Sequence, residues 1–201
     1  DAFKENFVDT GILDVKLLEI YKKMAVRADK LLEIFKDDFL QGHPLRKIFQ
    51  TYSYSQLGVA KERYRWWKKH DVIKIKNFMK LNIEFSYDEL KQLKIKSKNT
   101  SSIPIIFEIS KDFLEFCGLW LGDGSYDNRN KNAVILSNID EECIDIFKKV
   151  AGYIGAGYSA MNDGGVSLRI HSTIFYKLMK HVLKFEGYSD TKKIPEFIFG
   201  L

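Results

Sequence analysis

The chain has 201 residues, of which 45% are hydrophobic, 14% aromatic and 29% charged, the balance of a folded chain of one large or two small domains. Lys and Arg number 32 against 27 Asp and Glu, a net charge of +5 that permits a nucleic-acid partner without demonstrating one. No apolar run approaches the roughly 18 residues of a membrane span, the first residues lack a signal-peptide pattern, and the two cysteines, Cys117 and Cys143, exclude a disulfide framework or a four-ligand zinc site. A reducing, cytoplasmic setting is the resulting expectation.

The two halves differ in composition. Residues 1–109 hold 21 Lys/Arg and 15 Asp/Glu, residues 110–201 hold 11 and 12, and only 3 of 13 glycines precede residue 110. A polar stretch at 97–102, closed by Pro104, predicts a boundary between a helical region, 1–103, and a second domain, 104–201. Over 15–39, Leu17, Tyr21, Met24, Ala28, Leu31, Leu32 and Phe35 keep helical spacing; Asp14 suits the N-cap, and Gly42-His43-Pro44 stops the pattern. A second helix is expected over 44–52. A turn centred on Gly58 then leads into a basic helix, the order of a helix-turn-helix. Residues 61–80 carry eight Lys/Arg against two acids, and Lys61, Arg63, Arg65, Lys68 and Lys69 are candidate DNA contacts, although most basic helices are simply solvated. Trp66 and Trp67 are adjacent and cannot share one helix face, so one belongs to the core.

The second half alternates helix and strand. The elements expected are a helix over 111–122, a hairpin over 124–138 with a polar turn at 127–132, a helix over 139–154, a hairpin over 157–172 turning at Asp163-Gly164-Gly165, and a helix over 173–185. The class is α+β: a helical region followed by an α-β-β-α-β-β-α unit with a four-stranded antiparallel sheet. Ser167, Arg169 and His171 alternate with apolar residues and face away from the helices, a polar set suited to a DNA groove or to plain solvent. Arg129 and Lys131 in the polar turn join the candidate DNA contacts.

The helix over 111–122 is unusual. Gly118 and Gly122 stand four apart on one face, and each mid-helix glycine costs about 1 kcal/mol against alanine. Close approach of a second helix offsets that cost. Asp123 stands at the helix C-terminus, where the dipole is already negative. A carboxylate there makes sense if a divalent cation binds it together with freed backbone carbonyls. Two such helices side by side would bring two acids to the scissile phosphates of a duplex, a layout for metal-assisted phosphodiester hydrolysis.

Residues 116–124, FCGLWLGDG, resemble the LAGLIDADG (dodecapeptide) motif of homing endonucleases, in the form seen first of two in intein-encoded enzymes. Lys192-Lys193-Ile194-Pro195 is similar to the K-x-I-P block that follows the first half in that family. The resemblance covers roughly 104–201. It implies double-stranded DNA as substrate, Mg²⁺ as cofactor, Asp123 as the metal-binding catalytic acid with Gly122 beside it, Gly118 and Gly122 as helix-interface residues, and Lys192 as the basic catalytic residue, with Lys193 as its neighbour on the DNA. It also implies a second LAGLIDADG half, from a longer polypeptide or a second chain, because no second motif is present and the inner acid position is Leu121. No splicing blocks are seen. The competing readings are a non-catalytic DNA-binding protein of the same fold (a regulator or degenerate endonuclease) and a helical protein-interaction module without a nucleic-acid role.

Overall fold

A computed structural model describes residues 34–97, 101–107, 109–138, 140–162, 166–187, 191–196 and 198. Most of the helix expected over 15–39 lies outside these residues, as does the turn at 163–165. The described end of that helix corrects the reading: Phe39 opens a strand after a bend at Asp38.

The protein is α+β, with two four-stranded antiparallel sheets. The first unit runs β1 (Phe39–Gln41), a single 3-10 turn (His43–Leu45), α1 (Arg46–Thr51), α2 (Lys61–His70), β2 (Val72–Lys74), α3 (Ile75–Phe78), α4 (Tyr87–Lys91), β3 (Lys94–Lys96) and β4 (Ser102–Pro104). Its sheet has the order β2-β1-β3-β4. The expectation of an all-helical first half therefore missed a sheet. Each strand has three residues, too few to print a two-residue alternation on the sequence. What joins them is one cross-strand row: Leu40 pairs with Ile73 on one side and Ile95 on the other, and Ile95 pairs with Ile103. β4 also occupies part of the stretch expected to be a linker.

The helix-turn-helix order is present, but Tyr52 to Ala60 make a longer connection than the three or four residues of the compact motif. Tyr64 fixes α2 across the end of α1, its hydroxyl donating to the carbonyls of Phe49 and Tyr52, both at 3.0 Å. Those carbonyls belong to or adjoin a helix terminus that would otherwise lack partners. Trp67 is the core tryptophan, 1% exposed, and Trp66 is 50% exposed.

The second unit follows the expected order: α5 (Lys111–Asp123), β5 (Gly124–Tyr126), β6 (Ala133–Ser137), α6 (Glu141–Tyr153), β7 (Gly157–Asn162), β8 (Val166–His171), then α7 (Thr173–Lys177), which widens into a π-helical turn over Leu178–Val182. The sheet order is β5-β6-β8-β7. The register puts Tyr126, Val134, Ile170 and Tyr158 in one row on the helix side. Under it lie Phe113 and Phe116 of α5, Phe147 of α6 and Phe175 of α7, in mutual ring contact. The apolar side chains of both units form one continuous core. Two polar contacts stitch them: Lys177 Nζ to Asp38 Oδ2 at 2.5 Å, and the Ser101 hydroxyl to Ser172 Oγ at 2.6 Å, both serines being buried. Among the described residues no helix is long and apolar enough to cross a membrane.

Candidate functional site

The end of α5 is shaped by Trp120 and Gly124. The Trp120 indole is fully buried, donates to the carbonyl of Ser125 at 3.2 Å and lies 4.7 Å from the ring of Tyr126. A Cβ at Gly124 would fall 2.3 Å from the indole and 2.4 Å from the Trp120 carbonyl oxygen, so only glycine lets the chain turn directly from helix into strand. Asp123 is left exposed at this corner. Its Oδ2 accepts from Asn138 Nδ2 at 3.0 Å, and Asn138 Oδ1 accepts from the amide of Asp140 at 2.8 Å, which fixes the side-chain amide in one orientation. Thus β6 and the start of α6 hold the carboxylate.

Lys192, 69 residues later than Asp123 in the chain, returns to the same corner. Its Nζ donates to the carbonyl oxygens of Trp120 at 2.9 Å and Gly122 at 3.2 Å, and it stands 4.8 Å from the centroid of the Trp120 ring. Burial pulls its pKa below that of an ordinary lysine, and the nearby Asp123 charge opposes the shift. The ammonium also answers the negative end of the helix dipole, which Asp123 alone would aggravate. An ammonium has three donors, and two are taken by the helix end. Among the described residues no acceptor takes the third. Two features seat this lysine. Tyr126 Oη donates to the carbonyl of Phe185 at 2.7 Å, and Gly187 adopts φ +105°, where a Cβ would lie 2.7 Å from the Thr191 oxygen and 2.8 Å from the Lys192 nitrogen.

Gly118 and Gly122 are exposed, on the face of α5 opposite Phe113, Phe116, Cys117 and Trp120. A Cβ at either would meet nothing within 4 Å. The close helix contact expected of these glycines is therefore not made within the described residues, and the stripe is open. Among the described residues, no three His, Cys, Asp or Glu side chains cluster closely enough to hold a metal ion.

Ser167, Arg169 and His171 share the outer face of the second sheet, as alternation requires. The register sets Ser125, Ile135, Arg169 and Ser159 in one row, and Ser159 Oγ and His171 Nε2 are 2.7 Å apart. Arg129 and Lys131 are exposed on the β5–β6 turn. That turn is ordered by Asp127, which accepts from the amides of Asn130 (3.0 Å) and Arg129 (3.2 Å) and from Asn130 Nδ2 (2.9 Å). These bonds, led by the Asn130 amide, hold the Asp127 carboxyl below its usual range. Lys180 Nζ braces the turn through Asn128 Oδ1 at 2.9 Å. Lys193 is exposed beside Lys192.

Of the residues singled out from sequence, the fold brings Asp123, Gly122 and Lys192 together and aligns Ser167, Arg169 and His171. Lys61, Arg63, Arg65, Lys68 and Lys69 belong to the first unit and form no hydrogen bond or ion pair with that corner. Sequence reasoning missed Asn138 as the partner of Asp123, and Gly124 and Gly187 as the residues that make the corner. Asn138 follows Ser137 after the apolar run Ala133–Leu136, a setting that suits a cap of the next helix and does not point to Asp123.

No family model matches the chain. A stretch of 104 residues, 51% of the chain, is 32% identical to the DNA-directed RNA polymerase subunit Rpo1C of Methanocaldococcus jannaschii. The match covers 12% of that protein, so the chain spans only a small part of the relative's length.

Proposed function

We propose that this chain is one half of a LAGLIDADG-type endonuclease that hydrolyses double-stranded DNA with Mg²⁺. The observation that carries the reading is the seating of Lys192 on the Trp120 and Gly122 carbonyls, at the helix end that bears Asp123. The two motifs behind the resemblance are far apart in sequence, and a pair of accidental matches would have no reason to meet. The open Gly118/Gly122 stripe is the second support, since it leaves backbone room for the α5 equivalent of a second half. The name of the polymerase relative adds support for a nucleic-acid partner in the broad sense.

The donor available to a hard divalent cation is the exposed Asp123 carboxylate, an oxygen ligand, while the Gly122 carbonyl expected beside it accepts from Lys192. This half supplies one acid, and the second would come from the other half. When bound, Mg²⁺ supplies Lewis-acid stabilisation of the phosphate and activates water. Asp123, oriented by Asn138, would hold one ligand position. Lys192 keeps two donors on the helix end and offers its third to a non-bridging phosphate oxygen, where negative charge grows during attack. The duplex lies along the outer face of the second sheet, with Arg169 and His171 towards base edges and Arg129 and Lys131 at phosphates.

The test is cutting of the uninterrupted host site by the intact parent polypeptide with Mg²⁺, comparing Lys192→Ala and Lys192→Met with the unsubstituted protein. A loss of about 10²-fold or more with unaltered duplex binding supports the role. Unchanged cutting removes Lys192 from the chemistry. A second reading, binding without cutting, is favoured by one observation: the Gly122 carbonyl is already taken by Lys192, and among the described residues no three His, Cys, Asp or Glu side chains cluster at Asp123. Duplex binding with no cutting at any Mg²⁺ concentration would select it.

A further inference from the structure

The face of α2 that looks away from the core has a distinct character. Lys61, Arg63, Arg65, Lys68 and Lys69 are all exposed, and none of them has a carboxylate partner among the described residues. Elsewhere lysines are commonly paired: Lys47 with Glu89, Lys74 with Asp37, Lys149 with Asp112 and Lys177 with Asp38. Five neighbouring cations against one acid, Glu62, on ten residues leave a net repulsion that a polyanion would relieve.

Geometry narrows the polyanion. At about 100° per residue, Tyr64 and Trp67 form the inner edge of α2, and Glu62, Arg65, Trp66 and Lys69 lie within about 50° of the opposite crest, a face with one acid among its cations. Arg63 and Lys68 stand about 110° to either side of that crest, one on each flank. A rod with cations on both flanks and a mixed crest matches a groove bounded by two phosphate rows, and an α-helix fits the major groove of B-form DNA. A single strand would need only one cationic flank and several stacking rings. The crest has one exposed ring system, Trp66, which leans on His70 with centroids 4.8 Å apart. The helix is also held for the task, since Tyr64 ties it to α1 and Trp67 roots it in the core.

We propose that the outward face of α2 is a second docking surface for double-stranded DNA, separate from the corner at Asp123. Arg63 and Lys68 grip phosphates on the two sides of a groove, Arg65 and Lys69 enter it, and Trp66 supplies apolar contact between them. The surface works as an anchor whether or not Asp123 and Lys192 cut.

The experiment uses the full chain and a 20-base-pair duplex of arbitrary sequence, in chelator so that nothing is cut, with binding read by fluorescence anisotropy across a salt titration. Arg63→Gln/Lys68→Gln is expected to weaken binding by about tenfold or more and to lower the log–log salt slope by about 1.8, at about 0.9 for each phosphate that the variant leaves un-neutralised. Trp66→Ala is expected to weaken binding severalfold with the slope unchanged. If the double variant does not keep the parent's circular dichroism and melting temperature, Arg63→Gln and Lys68→Gln are read singly, each for a slope change of about 0.9. Unchanged affinity and slope in these variants would overturn the proposal, as would tighter binding of single-stranded DNA or of an RNA duplex. Binding is read in chelator, where nothing is cut, so failure of the anchor is distinguished from failure of the nuclease reading, which is tested by cutting with Mg²⁺.

Discussion

The two units of this protein reach the same architecture, a four-stranded antiparallel sheet carrying helices, by different routes. The second unit uses strands of up to six residues and two 13-residue helices, with glycines where helix becomes strand and where the chain turns back. The first uses four three-residue strands held by the row Ile73, Leu40, Ile95 and Ile103, plus short helices pinned by side chains such as Tyr64. Charge divides the same way: the first unit carries the unpaired cations of α2, and the second is near neutral with one exposed acid at its corner. On the proposed reading this is a division of labour, with one unit gripping a polyanion and the other presenting a reactive corner, joined through a common core.

The sharpest way to break that comparison is to attack the core. Phe116→Ala is expected to lower unfolding stability by about 3–5 kcal/mol, because the ring is fully buried against Phe113, Phe147 and Phe175. With one continuous core, thermal unfolding followed by circular dichroism and by tryptophan emission should stay a single transition; two separated transitions would make the units independent. The stitch comes next. Lys177→Met leaves Asp38 buried and unpaired and is expected to cost about 2–3 kcal/mol near neutral pH, less than for a fully buried pair because Lys177 keeps some solvent contact.

That loss has a definite pH dependence. Burial already raises the Asp38 carboxyl above its ordinary value of 3.8, against the pull of Lys177. An acid with a raised folded pKa binds more protons folded than unfolded, so its penalty is full above the raised value and vanishes below about pH 4. The deficit of Lys177→Met relative to the parent should therefore shrink as pH falls, by urea unfolding at a series of pH values.

Within the corner, Asn138→Ala frees one side of Asp123 and is expected to reduce cutting by about tenfold while leaving duplex affinity alone, a split read from kcat against KM. The smallest effect carries an unusual sign. Gly118→Ala adds a methyl group to open space and removes the entropic cost of a helical glycine, so the chain by itself should gain about 1 kcal/mol in unfolding. The same methyl group should obstruct close approach of a second α5-like helix and weaken pairing of the two halves. Gain of stability without loss of pairing would mean that the stripe is an ordinary solvent face.

The second unit was readable from sequence because its periodicities persist long enough to count. Phe113, Phe116, Cys117 and Trp120 mark one helix face, and Leu168 and Ile170 alternate with Ser167, Arg169 and His171. The first unit was not, because three-residue strands such as Lys94–Lys96 leave no period, and their pairing depends on residues far apart in the chain, such as Leu40 with Ile73 and Ile95. Asp123 and Lys192 were visible because each sits in a motif. The role of Asn138 was hidden because a side chain that orients another declares itself only when the fold brings it within bonding distance. The lysine's position on the helix carbonyls was equally hidden, since it depends on the turn at Gly187.

The central claim is that Asp123 performs metal-dependent cleavage of duplex DNA. The most direct measurement is the single-turnover rate of strand cleavage on the uninterrupted host site, by the intact parent polypeptide with Mg²⁺, for the unsubstituted protein and for Asp123→Asn. The variant is expected to bind the site normally and to cut at least about 10²-fold more slowly, the loss of a few kcal/mol of metal-assisted stabilisation. Equal cutting rates with and without the carboxylate, or binding without cutting in the unsubstituted protein, would contradict it.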